Sequence, residues 1–134
     1  MTNENEKIKI MVVDGYSTMR RIVKTLLRQN GYKHFVDAKN SQVAREALLN
    51  NPDIGFLVAD WKLTDASGGD FLKEVRKIPG FNKTPYLLVA ADQDKQDALT
   101  AINADGRSQI IIKPFTGMSL KEKMVAPKKN GKAS

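Results

Sequence analysis

The chain contains no cysteine among its 134 residues, which excludes disulfides and thiolate metal sites. Long apolar runs are also missing. None approaches the roughly 18 residues of a membrane-spanning helix, and the opening "MTNENEKIK" has no apolar segment of signal-peptide type. These absences make a cytoplasmic protein with no membrane partner the expectation. Internal repeats and long linkers are absent too, so a chain of this length is expected to form one domain with its own core. Residues 1–7 read as a polar leader, 8–125 as the domain, and 126–134 as a lysine-rich flexible tail.

Acidic charge is the scarcer sign. The 22 basic and 15 acidic residues give a formal net charge of +7, a balance that raises the question of nucleic acid. The distribution argues against it. The last fourteen residues, "KEKMVAPKKNGKAS", hold five lysines and one glutamate, and the rest of the chain has 17 basic and 14 acidic residues. No basic helix interleaved with aromatics is present. A solvated terminus explains the excess better than a nucleic-acid arm.

What is there is a regular alternation. Ile8 to Val13 reads as a buried strand. Ser17 is the expected cap of a helix carrying Met19, Ile22, Val23, Leu26 and Leu27, which Gly31 ends. "HFVDA" is a short strand, and Ser41 is the expected cap of a helix with Val43, Ala44, Ala47 and Leu48. "IGFLVA" runs into Asp60, and the loop "WKLTDASGG" leads to a helix burying Phe71, Leu72 and Val75. "PYLLVAA" is a fourth strand, Asp92 or Asp94 caps a fourth helix, and "QIII" is a fifth strand before "KPF". A last helix is expected from near Ser119 to about Val125, stopped by Pro127. Strands alternating with helices across short connections imply an α/β fold with a parallel sheet covered on both faces. Ligands of such sheets bind at the carboxyl ends of the strands. Asp14, Asp60, Ala90 with Ala91, and Lys113 stand at those ends, so two acids and a lysine are expected in one crevice.

The segments "VVDGYSTMRRIVKTLL", "VADWKL" and "IIKPFTGMSLKEKM" closely resemble the receiver domain of bacterial two-component signalling, in particular the single-domain chemotaxis regulators of the CheY type. The resemblance covers roughly Lys7 to Met124. It implies a flavodoxin-like α/β/α sandwich with five strands in the order 2-1-3-4-5, here with a short fifth helix. It implies no independent catalytic activity beyond the domain's own phosphorylation and dephosphorylation. A histidine kinase passes a phosphoryl group to an aspartate matching Asp60. Mg2+ is held by that aspartate, by acids matching Asp14 and position 15, and by the backbone carbonyl at Lys62. A lysine matching Lys113 contacts the phosphoryl oxygens, and its bond to Pro114 matches a cis peptide. The switch hydroxyl falls on Ala90 and the switch aromatic on Ile110. A partner surface includes Ile110, Lys113 and Phe115, and the face of fourth helix, fifth strand and fifth helix serves output proteins, such as a flagellar switch, or a homodimer.

The sequence departs from that pattern in chemically specific ways. Gly15 replaces an acid, Ala90 lacks a hydroxyl, Ile110 lacks a ring, and Lys62 adds a cation beside the pocket. Asp14, Asp60 and Lys113 together carry one negative charge where the family pattern carries about two, and Lys62 pointing inward would make the site neutral. Weak or absent Mg2+ binding is expected, because the ion rests on carboxylate oxygens. Two functions follow: a phosphorylated chemotaxis-type regulator, or a pseudo-receiver that works through partners alone. A basic nucleic-acid adaptor is a third, resting only on the tail. Among the remaining residues, Trp61 is expected over the pocket rim, Arg20 and Arg21 on a solvated face, His34 as a structural residue on a strand edge, and the methionines in packing roles.

Overall fold

The computed structural model describes residues 4–124, so the expected tail and Val125 lie outside the described residues. Five strands alternate with five helices. The strands are β1 (Lys9–Val13), β2 (His34–Ala38), β3 (Ile54–Asp60), β4 (Tyr86–Ala90) and β5 (Ser108–Ile112); the helices are α1 (Ser17–Gln29), α2 (Ser41–Asn50), α3 (Gly68–Lys77), α4 (Lys95–Asp105) and α5 (Gly117–Lys123). All neighbouring strands pair in parallel, in the order β2-β1-β3-β4-β5. This is the expected flavodoxin-like sheet with its short fifth helix.

Strand side chains alternate between two cores, because successive residues of a strand point to opposite faces. Ile10, Val12, Phe56, Val58, Leu87, Val89 and Ile111 pack with Val23 and Leu27 of α1 and Leu120 of α5. Met11, Val13, Leu57, Ala59, Leu88 and Ala90 face Ala44 and Leu48 of α2, Phe71 and Val75 of α3, and Ala98 and Ile102 of α4. With both faces covered, the central strands lack any polar-apolar alternation. Every residue of β4 is buried.

Helix starts differ from the sequence expectations in detail. Tyr16, not Ser17, precedes α1, with no side-chain cap. Asn40 rather than Ser41 caps α2, accepting from the Val43 N–H at 2.8 Å. Ser41 is buried as the first helical residue, where its hydroxyl donates to Asp65 at 2.8 Å. Asp92–Asp94 form a short 3-10 turn before α4, and neither supplies a capping bond. Thr116 and Ser119 form a reciprocal capping box that starts α5 at Gly117, two residues earlier than expected. Tyr16, Asn40 and Thr116 have the extended backbone usual for a cap, whereas Asp94 before α4 does not; residue type alone does not reveal that property. The methionines also divide: Met11 and Met124 are buried, whereas Met118 is 73% exposed. The leader expected over 1–7 contains a turn, Glu4–Lys7, fastened by a bond from the Asn5 side chain to the Asn30 carbonyl at 3.0 Å.

One close approach seats α3 against the sheet. A Cβ on Gly68 would lie 2.5 Å from the Asp60 carbonyl oxygen and 2.6 Å from Leu88 Cδ1. Glycine there lets α3 start directly against β3 and β4, with the Gly68 N–H donating to the Trp61 carbonyl at 2.7 Å. Gly68→Ala is expected to destabilise the domain by about 1–3 kcal/mol through overpacking, read as a lower urea midpoint at unchanged slope.

Candidate functional site

The carboxyl ends of β1, β3 and β5 bring Asp14, Asp60 and Lys113 together as expected. Asp60, the last residue of β3, is 4% exposed and makes an ion pair at 2.9 Å from its Oδ1 to Lys113 Nζ. Lys113 is fixed from behind by two features. Its backbone N–H donates to the Ala90 carbonyl at 2.9 Å, and the Lys113–Pro114 peptide is cis, as the resemblance implied. The Asp60 Oδ2 atom makes no hydrogen bond among the described residues, which leaves one carboxylate oxygen available in the crevice.

Asp14 follows β1 and is also 4% exposed. Its Oδ1 accepts from the Tyr16 N–H at 2.9 Å. Burial raises its pKa above the ordinary carboxylate value, and the negative charge of Asp60 adds to that. The Tyr16 N–H, Lys113 and Arg20 oppose the rise without cancelling it. A raised folded-state pKa means that ionised Asp14 costs stability. Folding is favoured most below the unfolded carboxylate pKa of about 3.9, and that contribution is lost as pH rises through the higher folded value. Asp14→Asn is therefore expected to raise Tm at pH 7 in chelator, with the gain vanishing near pH 3 in thermal melts.

Arg20 is the main correction at this site. It was expected on a solvated face, yet its side chain is 17% exposed. Its Nη1 donates to the Asp14 carbonyl at 2.6 Å and its Nε to Asp37 at 3.0 Å, while Lys24 donates to the same Asp37 at 2.7 Å. Arg20 thus ties α1 to the ends of β1 and β2. The signal available in sequence was the absence of any acid on α1, which obliges its cations to find partners elsewhere. Arg21 is exposed, and His34 is exposed on the edge strand β2, as expected.

Gly15, Tyr16, Asp60, Lys62, Leu63, Thr64 and Lys113 line a crevice of about 260 Å³. A Cβ on Gly15 would stand 3.5 Å from Thr64 Cγ2 and 3.8 Å from the Lys39 carbonyl, both ordinary contacts. The site thus has room for a side chain at position 15. Asp65, unremarked in the sequence, secures the loop carrying Lys62 and Thr64. It accepts from the Ser41 and Gln42 N–H groups and from the Ser41 hydroxyl, at 2.8–3.1 Å. Burial raises its pKa, but those donors prevail and hold it below the ordinary value.

Lys62 does not point at the acids as considered above. Its side chain is 65% exposed, with Nζ 4.0 Å from Asp94 Oδ2. Trp61 is also displaced from its expected place over the rim. Its ring lies between α3 and α4, where a Cβ on Gly69 would come within 2.8 Å of it, and it lines a separate groove with Ala101 and Ala104. Ala90 is fully buried on the α2–α3–α4 side. Ile110 packs on that side and Phe115 on the α1–α5 side, so the expected partner residues wrap around the edge strand β5 rather than sharing one face. Ile22 is 44% exposed, consistent with a short α5 that covers α1 incompletely.

Receiver domains usually hold Mg2+ at the phosphorylation site. The donors here fit that ion poorly. Two carboxylates converge, one of them already paired with Lys113. Among the described residues no cluster of three or more His, Asp or Glu side chains could hold a metal ion. Magnesium demands an octahedral oxygen shell, and the oxygen that an acid at position 15 would give is missing.

A doubly wound parallel sheet with acids and a lysine at the strand ends defines an α/β domain of the kind that binds its ligands at that edge. The response regulator receiver domain family matches residues 10–125, and this chain belongs to it. It is 38% identical over 117 residues to the chemotaxis protein CheY1 of Helicobacter pylori, covering 87% of this chain and 94% of that protein. It is 38% identical over 120 residues to the chemotaxis protein CheY-3 of Vibrio cholerae, covering 90% and 91% respectively. A solved receiver domain protein of Clostridium thermocellum superposes with a TM-score of 0.77 at 26% identity, over 87% of this chain and 90% of that one. No helix among the described residues is long and apolar enough to cross a membrane.

Proposed function

We propose that this chain is a stand-alone response regulator of the chemotaxis type, phosphorylated on Asp60, with weak Mg2+ binding and altered switching. One observation carries the reading: a 4%-exposed carboxylate at the end of the third strand, ion-paired at 2.9 Å to Lys113 and with its second oxygen available. Burial at a strand end is costly for an acid without a function or a partner, and Lys113 contacts only one of its two oxygens. A histidine kinase donates the phosphoryl group, and an output protein, such as a flagellar switch component, reads the result in the cytoplasm. The protein is a signalling component rather than an enzyme acting on other substrates. The receiver unit is assigned to residues 8–125, with residues 126–134 as a lysine-rich segment outside it.

A second reading, a pseudo-receiver acting through protein contacts alone, is favoured by Ala90 and Ile110. Buried Ala90 has no hydroxyl to follow a phosphoryl group, and Ile110 has no ring to turn. A homodimer through α4, β5 and α5 belongs to this reading. Trp61 follows Asp60 directly, so its fluorescence distinguishes the two. A saturable response to beryllofluoride, abolished in Asp60→Asn, is expected for the phosphorylated regulator. No response at any Mg2+ concentration rejects it in favour of the pseudo-receiver.

A further inference from the structure

We propose that Lys62 is the counter-ion for a phosphoryl group on Asp60, taking the place that a metal ion would otherwise occupy; this rests on reading Asp60 as the phosphoacceptor. Lys62, Asp60 and Lys113 line one crevice of about 260 Å³, far larger than the roughly 30 Å³ share of one water. The crevice therefore has room for a phosphoryl group and an ammonium together. The wall at Gly15, Tyr16, Leu63 and Thr64 carries no charge, so nothing there competes for the Lys62 head group.

The resting position of Lys62 is loosely held. Its only ion pair among the described residues is the contact with Asp94 at 4.0 Å, the outer limit for such a pair, and its side chain is 65% exposed. Exposed pairs of this kind contribute little. A phosphoryl group brings close to two negative charges and three strong acceptor oxygens, a much better partner than one carboxylate at that distance. Lys113 alone cannot neutralise it, because the buried Asp14 carboxyl lies close enough to interact with both Asp60 and Lys113, and Arg20 is committed to Asp37 and to the Asp14 carbonyl. A long, flexible ammonium beside the acceptor meets the deficit with a charge-assisted hydrogen bond.

The transfer balances without a metal or a proton. The free Oδ2 of Asp60 attacks phosphorus in a small acyl phosphate, a new O–P bond forms, and the P–O bond to the acyl group breaks. The leaving carboxylate departs with the bonding pair. Total charge is unchanged, and Lys62 and Lys113 hold the non-bridging oxygens as charge moves between the two bridging ones.

The test uses the full chain with acetyl phosphate, in chelator and in Mg2+, and reads the phosphoprotein by intact mass. Wild type is expected to accumulate phosphoprotein in chelator. Lys62→Met is expected to lower the yield about tenfold, the scale of one charge-assisted bond. Lys62→Arg retains most of it, and Asp94→Asn, which releases Lys62, raises it. Beryllofluoride affinity in chelator, measured by Trp61 fluorescence, follows the same order and requires no chemical step. Phosphoprotein that forms only with Mg2+, or at equal yield in Lys62→Met and wild type, overturns the proposal and leaves Asp60 as acceptor. No phosphoprotein under any condition overturns the reading of Asp60 as well.

Discussion

Replacing Gly15 by aspartate is expected to tighten Mg2+ binding by about ten- to a hundredfold. Unit charges 4 Å apart attract by about 4 kcal/mol at an effective dielectric near 20, and the cost of stripping water from Mg2+ takes back much of that. The substitution fits sterically, since the new Cβ meets only the Thr64 methyl group and the Lys39 carbonyl at 3.5 and 3.8 Å. It also has an opposite effect without metal. A third acid beside Asp14 and Asp60 adds repulsion in a crevice where Asp14 is already resisted by burial and by Asp60. The variant is therefore expected to melt lower than wild type in chelator and to gain more from added Mg2+, by the usual linkage of binding to stability. Calorimetric titration and paired thermal melts check both halves. An unchanged Mg2+ affinity would mean that position 15 does not face the metal.

Breaking the Arg76–Asp105 pair is expected to have the largest effect on stability. Arg76 on α3 meets Asp105 at the end of α4 through two bonds, Nε to Oδ1 at 2.8 Å and Nη2 to Oδ2 at 3.0 Å. The side chains are 14% and 9% exposed. Arg76 Nη1 also donates to the Phe81 and Thr84 carbonyls, and Asp105 accepts from the Ser108 hydroxyl. One ion pair thus fastens α3, the loop before β4, α4 and the start of β5. Removing either partner leaves an uncompensated charge in a poorly hydrated place, a loss of about 3–5 kcal/mol. Arg76→Met and Asp105→Ala are each expected to lower Tm by roughly 10 °C. The two losses should not add in the double variant, with a coupling of about 1–3 kcal/mol.

The pair also sets an acid limit. Burial opposes ionisation of Asp105, but Arg76, the Ser108 hydroxyl and the Arg107 N–H outweigh it and hold the pKa below the ordinary value. A depressed folded pKa gives stability that is present above the unfolded pKa and lost as pH falls through the folded one. The difference in Tm between wild type and Arg76→Met is therefore expected to shrink below about pH 4. A difference independent of pH would assign the loss to packing alone.

Much of the fold was legible because apolar periodicity and breakers are local properties. β3 ends on Asp60 and β5 on Ile112 beside Lys113, much as the apolar runs imply, since a buried strand cannot carry a charge before its end. The same logic located Asp14, Asp60 and Lys113 before any geometry was known. Arg20 was harder to place. Its partners, Asp37 and the Asp14 carbonyl, become neighbours only when β2 lies beside β1. Asp65 was invisible for the same reason, because it serves a helix that starts 24 residues earlier in the chain. Trp61 sits between α3 and α4 because Gly69 and Ala101 leave space there, a fit between two helices that neither sequence segment states alone.

By itself the sequence determined the alternation of strands and helices, the acids and lysine at the strand ends, and the absence of an acid at position 15, a hydroxyl at 90 and a ring at 110. These follow from residue type and order, which periodicity and side-chain chemistry translate directly. Tertiary structure alone decided where the long side chains go. Lys62 leans to Asp94, Arg20 reaches across to Asp37 on the edge strand, and Arg76 closes on Asp105. A flexible cation takes its position from whichever acid the fold brings within a few ångströms, and no local pattern in the chain encodes that distance.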